Sequence, residues 1–393
     1  MSVNCFLFAT ILACQLTLCS CDGIDTVWMN TTLTQHFSQP RHHVTNPGYK
    51  QQTMTFIRDE FRAMGLDTHI HTFPTLLDNV TGVNVIGVLK GRHFNTPSDK
   101  IVGIGAHYDT MRNTPGVNDN GAAVVVMLQA ARELSLHPVR NYTLLFVAFD
   151  FEEWEHSGEP LVACGEGMCG SRSLVSTWIP SFWTQPVGWR GIFVMDTILN
   201  FDHNTSSQRL SAGLGVAFPS QTQDIKSDGG RGDFLVIAGR GEDQTLLNGF
   251  NASWDHSGPS QFEVESFTLP MVSDAFGDFL RSDHYAFWLA GLKAVFITDS
   301  ANFRGYMTAC YHNPCDDIQR VTSDRLDFVT KTCRTLVSVL DKMAAPLDND
   351  HQQNGSASCN NPDSPANDGA LLVTASLTSL AIIVALAVCL HNP

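Results

Sequence analysis

The chain alternates between two kinds of block. Short apolar runs fall at Val83–Leu89 (broken only by Asn84), Ile101–Ala106, Leu144–Phe149, Ile192–Met195, Phe234–Ala238 and Ala294–Ile297. Each has strand length and lacks a polar face, which predicts strands covered on both sides. Stretches of helical spacing flank them at Ala122–Leu136, Gln244–Phe250, Tyr285–Leu289 and Leu326–Met343. An earlier one, Gln51–Met64, carries Met54, Ile57, Phe61 and Met64 at helical spacing and stops at Gly65. Strands alternating with helices predict an α/β protein, a three-layer α/β/α sandwich around a mixed, largely parallel sheet. Ligands in such sheets bind beyond the carboxyl ends of the strands. Any chemistry is expected there.

The two ends of the chain have a different character. Cys5 to Leu18 is an apolar run followed by small residues at Ser20 and Gly23, the pattern of a signal peptide over 1–21. Ala370 to Leu390 is uncharged and apolar, and as a helix it would measure about 31 Å, enough to cross a bilayer. No Lys or Arg follows it, whereas Ser356-Ala357-Ser358 and a polar spacer precede it. That layout is the one of a removable signal for a GPI anchor, with a single membrane-spanning helix as the alternative. The expected division is therefore a folded domain over 25–345, a polar stalk over 346–369 carrying the attachment site, and the tail 370–393.

Sequons at Asn30, Asn79, Asn141, Asn204, Asn251 and Asn354 agree with passage through the secretory pathway to the cell surface or beyond. Cysteine usage agrees too. Of 11 cysteines, Cys164/Cys169 and Cys310/Cys315 form two close pairs that read as local disulfides. Cys333 is expected either buried and free or bridged to Cys359. The net charge of −15, from 24 basic and 39 acidic residues, excludes a nucleic-acid partner, because nothing would neutralise a phosphate backbone.

Metal-ligating side chains follow the strand-like runs. His107-Tyr108-Asp109 comes after the second run, Glu152-Glu153 after the third, and Asp196 after the fourth; His312 lies in a loop past the last. Asp119 sits in Gly116-Val117-Asn118-Asp119-Asn120-Gly121, a turn opening the Ala122 helix. Singly, each is ordinary: a structural histidine, an N-cap, a solvated acidic pair. Together they place five metal-ligating groups at one rim, where packed carboxylates would repel unless cations neutralised them. Imidazole and carboxylate ligands suit zinc. An Asp able to bridge two ions would make a co-catalytic pair, and a second Glu beside a ligand Glu could take a proton from a shared water. Asp109, two residues from His107, is placed to fix that imidazole.

These segments resemble the co-catalytic dizinc aminopeptidase family, which also contains glutamate carboxypeptidases and glutaminyl cyclases. The likeness rests on Gly105-Ala106-His107-Tyr108-Asp109-Thr110, Asn118-Asp119-Asn120-Gly121-Ala122, Glu152-Glu153, Met195-Asp196, Tyr311-His312 and the stretch Arg281-Ser282-Asp283-His284-Tyr285-Ala286-Phe287-Trp288. It spans most of 53–341. The resemblance implies a zinc peptidase domain with two Zn2+ per chain, one held by His107 and Asp196, the other by Glu153 and His312, with Asp119 bridging. Glu152 would be the general base acting on a metal-bridging hydroxide, Asp109 would orient His107, and Tyr311 could donate to the oxyanion. Asp316 is expected to be structural. The implied activity is release of N-terminal residues from peptides. Rivals on the same fold are a single-zinc glutaminyl cyclase, a carboxypeptidase using Arg281 or Arg304, and a non-enzymatic receptor ectodomain. The Trp154–Cys169 insertion is expected near the site mouth. The Arg231-Gly232-Asp233 tripeptide is read as a turn rather than an adhesion motif. Trp178, Phe182, Trp183 and Trp189 are read as packing rather than a specificity wall.

Overall fold

A computed structural model describes residues 23–155, 161–211 and 213–344. Eight strands form one sheet: β1 (Asp67–Pro74), β2 (Thr81–Leu89), β3 (Lys100–His107), β4 (Leu144–Phe149), β5 (Gly188–Met195), β6 (Phe234–Arg240), β7 (Glu263–Leu269) and β8 (Ala294–Thr298). Their spatial order is β1-β2-β4-β3-β5-β8-β6-β7. The central four, β4, β3, β5 and β8, run parallel. β2 joins antiparallel to β4, and β6 antiparallel to β8. The longer helices are α1 (Thr26–His36), α2 (Pro47–Ala63), α3 (Ala122–Leu136), α4 (Pro219–Ser227), α5 (Gln244–Trp254) and α6 (Ser323–Met343).

All six apolar runs are strands, and their lack of a polar face has the expected cause. In β4, Leu144, Phe146 and Ala148 enter one core while Leu145, Val147 and Phe149 enter the other. The first core is closed by α1, α2, α3, α5 and α6, through residues such as Leu33, Phe61, Met127, Phe250 and Leu336. The second is closed by α4 and shorter segments carrying Trp178, Trp183, Phe287 and Trp288. The aromatic group read as packing is therefore packing: Trp178 stacks on Phe182 with centroids 4.4 Å apart, and Trp189 stacks on Phe287. The sandwich has three layers, as expected.

The two strands that hydropathy did not reveal, β1 and β7, are the sheet edges. An edge strand is covered on one side only, so polar residues interrupt it, as in Asp67-Thr68-His69-Ile70 and Glu263-Val264-Glu265-Ser266. Among the described residues, no helix is long and apolar enough to cross a membrane. The leader 1–21, the stalk, the tail, Asn354 and Cys359 lie outside the described residues.

Candidate metal centre

The parallel block delivers its side chains to one rim. His107 ends β3, Glu152 and Glu153 follow β4, and Asp196 follows β5. The loop after β8 reaches His312 just beyond a helical turn, Met307–Cys310. Asp119 enters from the turn before α3.

All five sequence candidates converge. His107 Nε2 lies 3.4 Å from Asp119 Oδ1 and 3.7 Å from Asp196 Oδ1. His312 Nε2 lies 3.3 Å from Asp119 Oδ2 and 3.2 Å from Glu153 Oε2. Asp119 thus faces both imidazoles, one with each oxygen. The result is two adjoining groups, His107/Asp119/Asp196 and Asp119/Glu153/His312, whose ligand atoms each fall within 4.8 Å of one another. Glu152 stands beside the first group, with Oε2 3.8 Å from His107 Nε2.

The electrostatics call for cations. His107 Nε2, His312 Nε2 and Asp119 Oδ2 are buried without hydrogen-bond partners. Burial, reinforced by the charges of Asp196, Glu153 and Asp283, holds Glu152 well above the usual carboxylate range. Burial opposes charge on His312, yet Glu153 and Asp119 raise its imidazole to about 10. His107 is raised in the same way, burial being outweighed by Glu152, Asp109, Asp119 and Asp196. Such a pocket drives even imidazoles to carry positive charge, which divalent ions would supply instead. Imidazole nitrogen with carboxylate oxygen is a donor set that suits zinc.

The supporting contacts run through the backbone. Asp109 accepts the amides of Glu152 (3.1 Å) and Glu153 (3.2 Å), while its own carbonyl oxygen lies 3.2 Å from His107 Nδ1. Its carboxylate lies 3.6 Å from that nitrogen, so both its main chain and its side chain face the His107 imidazole. Asn118 and Asn120 tie the Asp119 turn to Leu199, Thr197 and Met195. Asp316 accepts the amides of Asn118 and Asp119, both at 3.0 Å, so its structural role is to hold the Asp119 turn. Left-handed backbone at Phe151 (φ 56°), Thr197 (φ 52°) and His312 (φ 58°) gathers beside these groups. Each is a conformation that non-glycine residues hold only when the surroundings enforce it.

The sequence model of peptidase family M28 matches residues 84–224 and 235–337, more than half of the chain. The chain belongs to peptidase family M28. It is a family of peptidases, and membership implies zinc. Aminopeptidase YwaD of Bacillus subtilis (strain 168) is 41% identical over 75 residues, 19% of this chain and 16% of that protein. The uncharacterized protein YfbL of Escherichia coli (strain K12) is 28% identical over 241 residues, covering 59% and 63% respectively. The chain therefore spans less than two thirds of the length of either relative. Among solved structures, BSAP, a zinc aminopeptidase from Bacillus subtilis, superposes with a TM-score of 0.55 at 16% identity, over 81% of this chain and 95% of that one. A Porphyromonas gingivalis glutaminyl cyclase gives 0.56 at 14% identity, over 82% and 99%. At such identities the likeness shows the fold alone.

Both expected disulfides of this M28 peptidase are present, Cys164–Cys169 and Cys310–Cys315. The second brackets His312, and Tyr311 stacks on that imidazole with centroids 3.7 Å apart. The insertion does reach the mouth: Trp154, Glu166 and Met168 line an opening shared with Glu152, Glu153 and His312. Cys333 is free and buried against α3, 3.8 Å from the Val126 carbonyl. Of the sequons, Asn30, Asn79 and Asn204 are exposed, and Asn141 is half-buried. Asn251 is engaged instead, its amide nitrogen 2.6 Å from Ser266 Oγ. Of the two arginines available to a carboxypeptidase, Arg304 is fully buried and bonds the Phe234 carbonyl and Gln208. Arg281 reaches the site but faces Asp278 at 3.8 Å.

Two contributors carried no sequence signal. Arg41, fully buried, donates to the carbonyls of Tyr108, Phe37, Pro115 and Gly116, clamping the β3 end to the Asp119 turn. Asp299 accepts Asn118 Nδ2 at 2.8 Å and the Asn200 amide at 2.7 Å. A third, Asp283, lay unrecognised inside a family-like segment. It is fully buried with neither oxygen hydrogen-bonded, and burial pushes it up to about 8.

Proposed function

We propose that this M28 peptidase is an extracellular zinc aminopeptidase that removes apolar N-terminal residues from peptides. The observation that carries the reading is the pair of orphaned imidazole nitrogens, each within 3.4 Å of a different oxygen of Asp119. His107 and Asp196 would hold one zinc, Glu153 and His312 a second, and Asp119 both. When bound, the zinc would supply Lewis-acid polarisation and a water of lowered pKa.

The remaining work falls to the chain. Glu152 is buried beside the first group and belongs to neither set of ligands. Its Oε2 is placed to take a proton from the attacking water and return it to the departing amine. Asp109 keeps both glutamates and His107 in register. Burial holds the Tyr311 hydroxyl protonated, despite the nearby Arg281, so it can donate to a developing oxyanion.

A pocket of about 80 Å³ opens beside Asp196 and Tyr311, walled by Ile225, Phe234, Phe267, Phe279 and Phe296. Its walls suit an apolar side chain. Glu152, Glu153 and Glu166 at the mouth favour a substrate ammonium, while Arg281 is offset by Asp278 and offers a terminal carboxylate little. Exposed sequons and two disulfides support export, and the tail layout supports a lipid anchor.

The test is a panel of fluorogenic substrates with free and blocked N-termini, run with and without a chelator. Cleavage of free apolar N-termini that a chelator abolishes is expected. Cyclisation of N-terminal glutamine without hydrolysis, or cleavage of blocked substrates from the carboxyl end, would overturn the reading. Release of cell-bound enzyme by a phosphatidylinositol-specific phospholipase is expected for the lipid anchor and would fail for a spanning helix.

A further inference from the structure

A second set of metal-ligating groups lies away from the centre. Asp228 ends α4, Asp233 immediately precedes β6, and Glu263 opens β7. The pairing of β6 with β7 sets Phe234 opposite Glu263, and the Glu263 amide donates to the Asp233 carbonyl at 3.1 Å. One oxygen from each of the three carboxylates falls within 4.8 Å of the others. Asp233 is only 9% exposed, and its Oδ1 is buried with no hydrogen-bond partner. Arg231 engages Asp228 Oδ1 at 2.7 Å and the His203 carbonyl, so it is spent on bracing the turn. The Arg-Gly-Asp tripeptide therefore buries its acid instead of presenting it, which removes the adhesion reading.

We propose that Asp228, Asp233 and Glu263 form a binding site for a hard divalent cation of the calcium class. Three carboxylates with no nitrogen or sulfur donor select a hard ion. Exposed Glu263 leaves the site open on one side, where waters complete the larger and more flexible coordination shell that calcium takes and magnesium does not. The carboxylates are held in mutual opposition. Burial and then the Asp228 charge raise Asp233, while burial followed by Asp233, Asp228 and Asp224 raises Glu263. An ion there would join α4, β6 and β7, the elements that carry Ile225, Phe234 and Phe267 into the apolar pocket. A partly open three-carboxylate site belongs in the range of about 10⁻⁴–10⁻³ M, matched to calcium outside cells.

Equilibrium dialysis of the zinc-loaded full chain against calcium chloride, with a thermal melt at each concentration, tests this without reference to peptidase activity. About one calcium per chain is expected. The melting midpoint should rise by about 5 °C when calcium stands about a hundredfold above its dissociation constant. Glu263→Lys, a change at an exposed position, should abolish both effects with zinc content unchanged, and Asp233→Asn should weaken binding at least about tenfold. Calcium binding and a midpoint shift that persist in Glu263→Lys, or their absence from the wild-type chain, would overturn the assignment.

Discussion

The contact between Asp316 and the Asp119 turn makes a sharp test of how this centre is built. Asp316 is fully buried, and its two oxygens each accept one main-chain amide, from Asn118 and from Asp119, at 3.0 Å. Asp316→Asn keeps the shape but leaves a single acceptor oxygen, so one of those amides must face an NH2 group. A buried donor left without an acceptor costs about 1–3 kcal/mol, and a value near 2 is expected here because both amides are deeply enclosed. In a domain of this size that corresponds to a fall of about 4 °C in melting midpoint. The turn also aims the Asp119 carboxylate, so zinc affinity should fall about 10–100-fold, as for other groups that support ligands from behind. The assay is urea unfolding of the zinc-free chain, with zinc affinity measured by competition against a chromogenic chelator. A variant with stability within about 0.5 kcal/mol of wild type and unchanged chelator competition would refute the reasoning.

Other expectations follow from the same geometry. Glu152→Ala should lower kcat by about 10²–10⁴-fold with zinc content intact, whereas Asp119→Ala should deplete metal; a fully active Glu152→Ala would show that another group moves the proton. Arg41→Met strips five carbonyls, that of Gln39 included, of their donor and should cost about 3 kcal/mol or more, read by chemical denaturation. His284 is fully buried, stacked on Phe296, and pulled down to about 3 by burial. It folds neutral, so the unfolded chain binds the extra proton below pH 6.5. Stability should be untouched by this group above pH 6.5 and fall as pH drops from there toward 3, by about 3 kcal/mol at pH 4.5. His284→Gln should flatten that slope in an acid-unfolding series; an equal slope in both proteins would place the titration elsewhere.

The chain's own order of residues settled the interior of this fold. Runs such as Leu144–Phe149 and Ile101–Ala106 are apolar on both faces because both faces are covered, and that pattern requires no knowledge of neighbours. It also settled which side chains would meet at the rim, because parallel strands end together and His107, Glu153 and Asp196 come directly after them. Hydropathy could not show β1 or β7, whose second faces meet water, nor α1, whose buried side includes only Met29, Thr32 and Leu33. Nor could it show Arg41 and Asp299, which act on backbone groups distant in sequence: Arg41 reaches the Gly116 carbonyl 75 positions away, and Asp299 reaches Asn118 across 181. Those contacts depend on where the turns come to rest, and only the packed tertiary structure decides that. The same holds for Asp228, Asp233 and Glu263. In sequence they are scattered acids beside an Arg-Gly-Asp turn, and it is the pairing of β6 with β7 that brings their oxygens together.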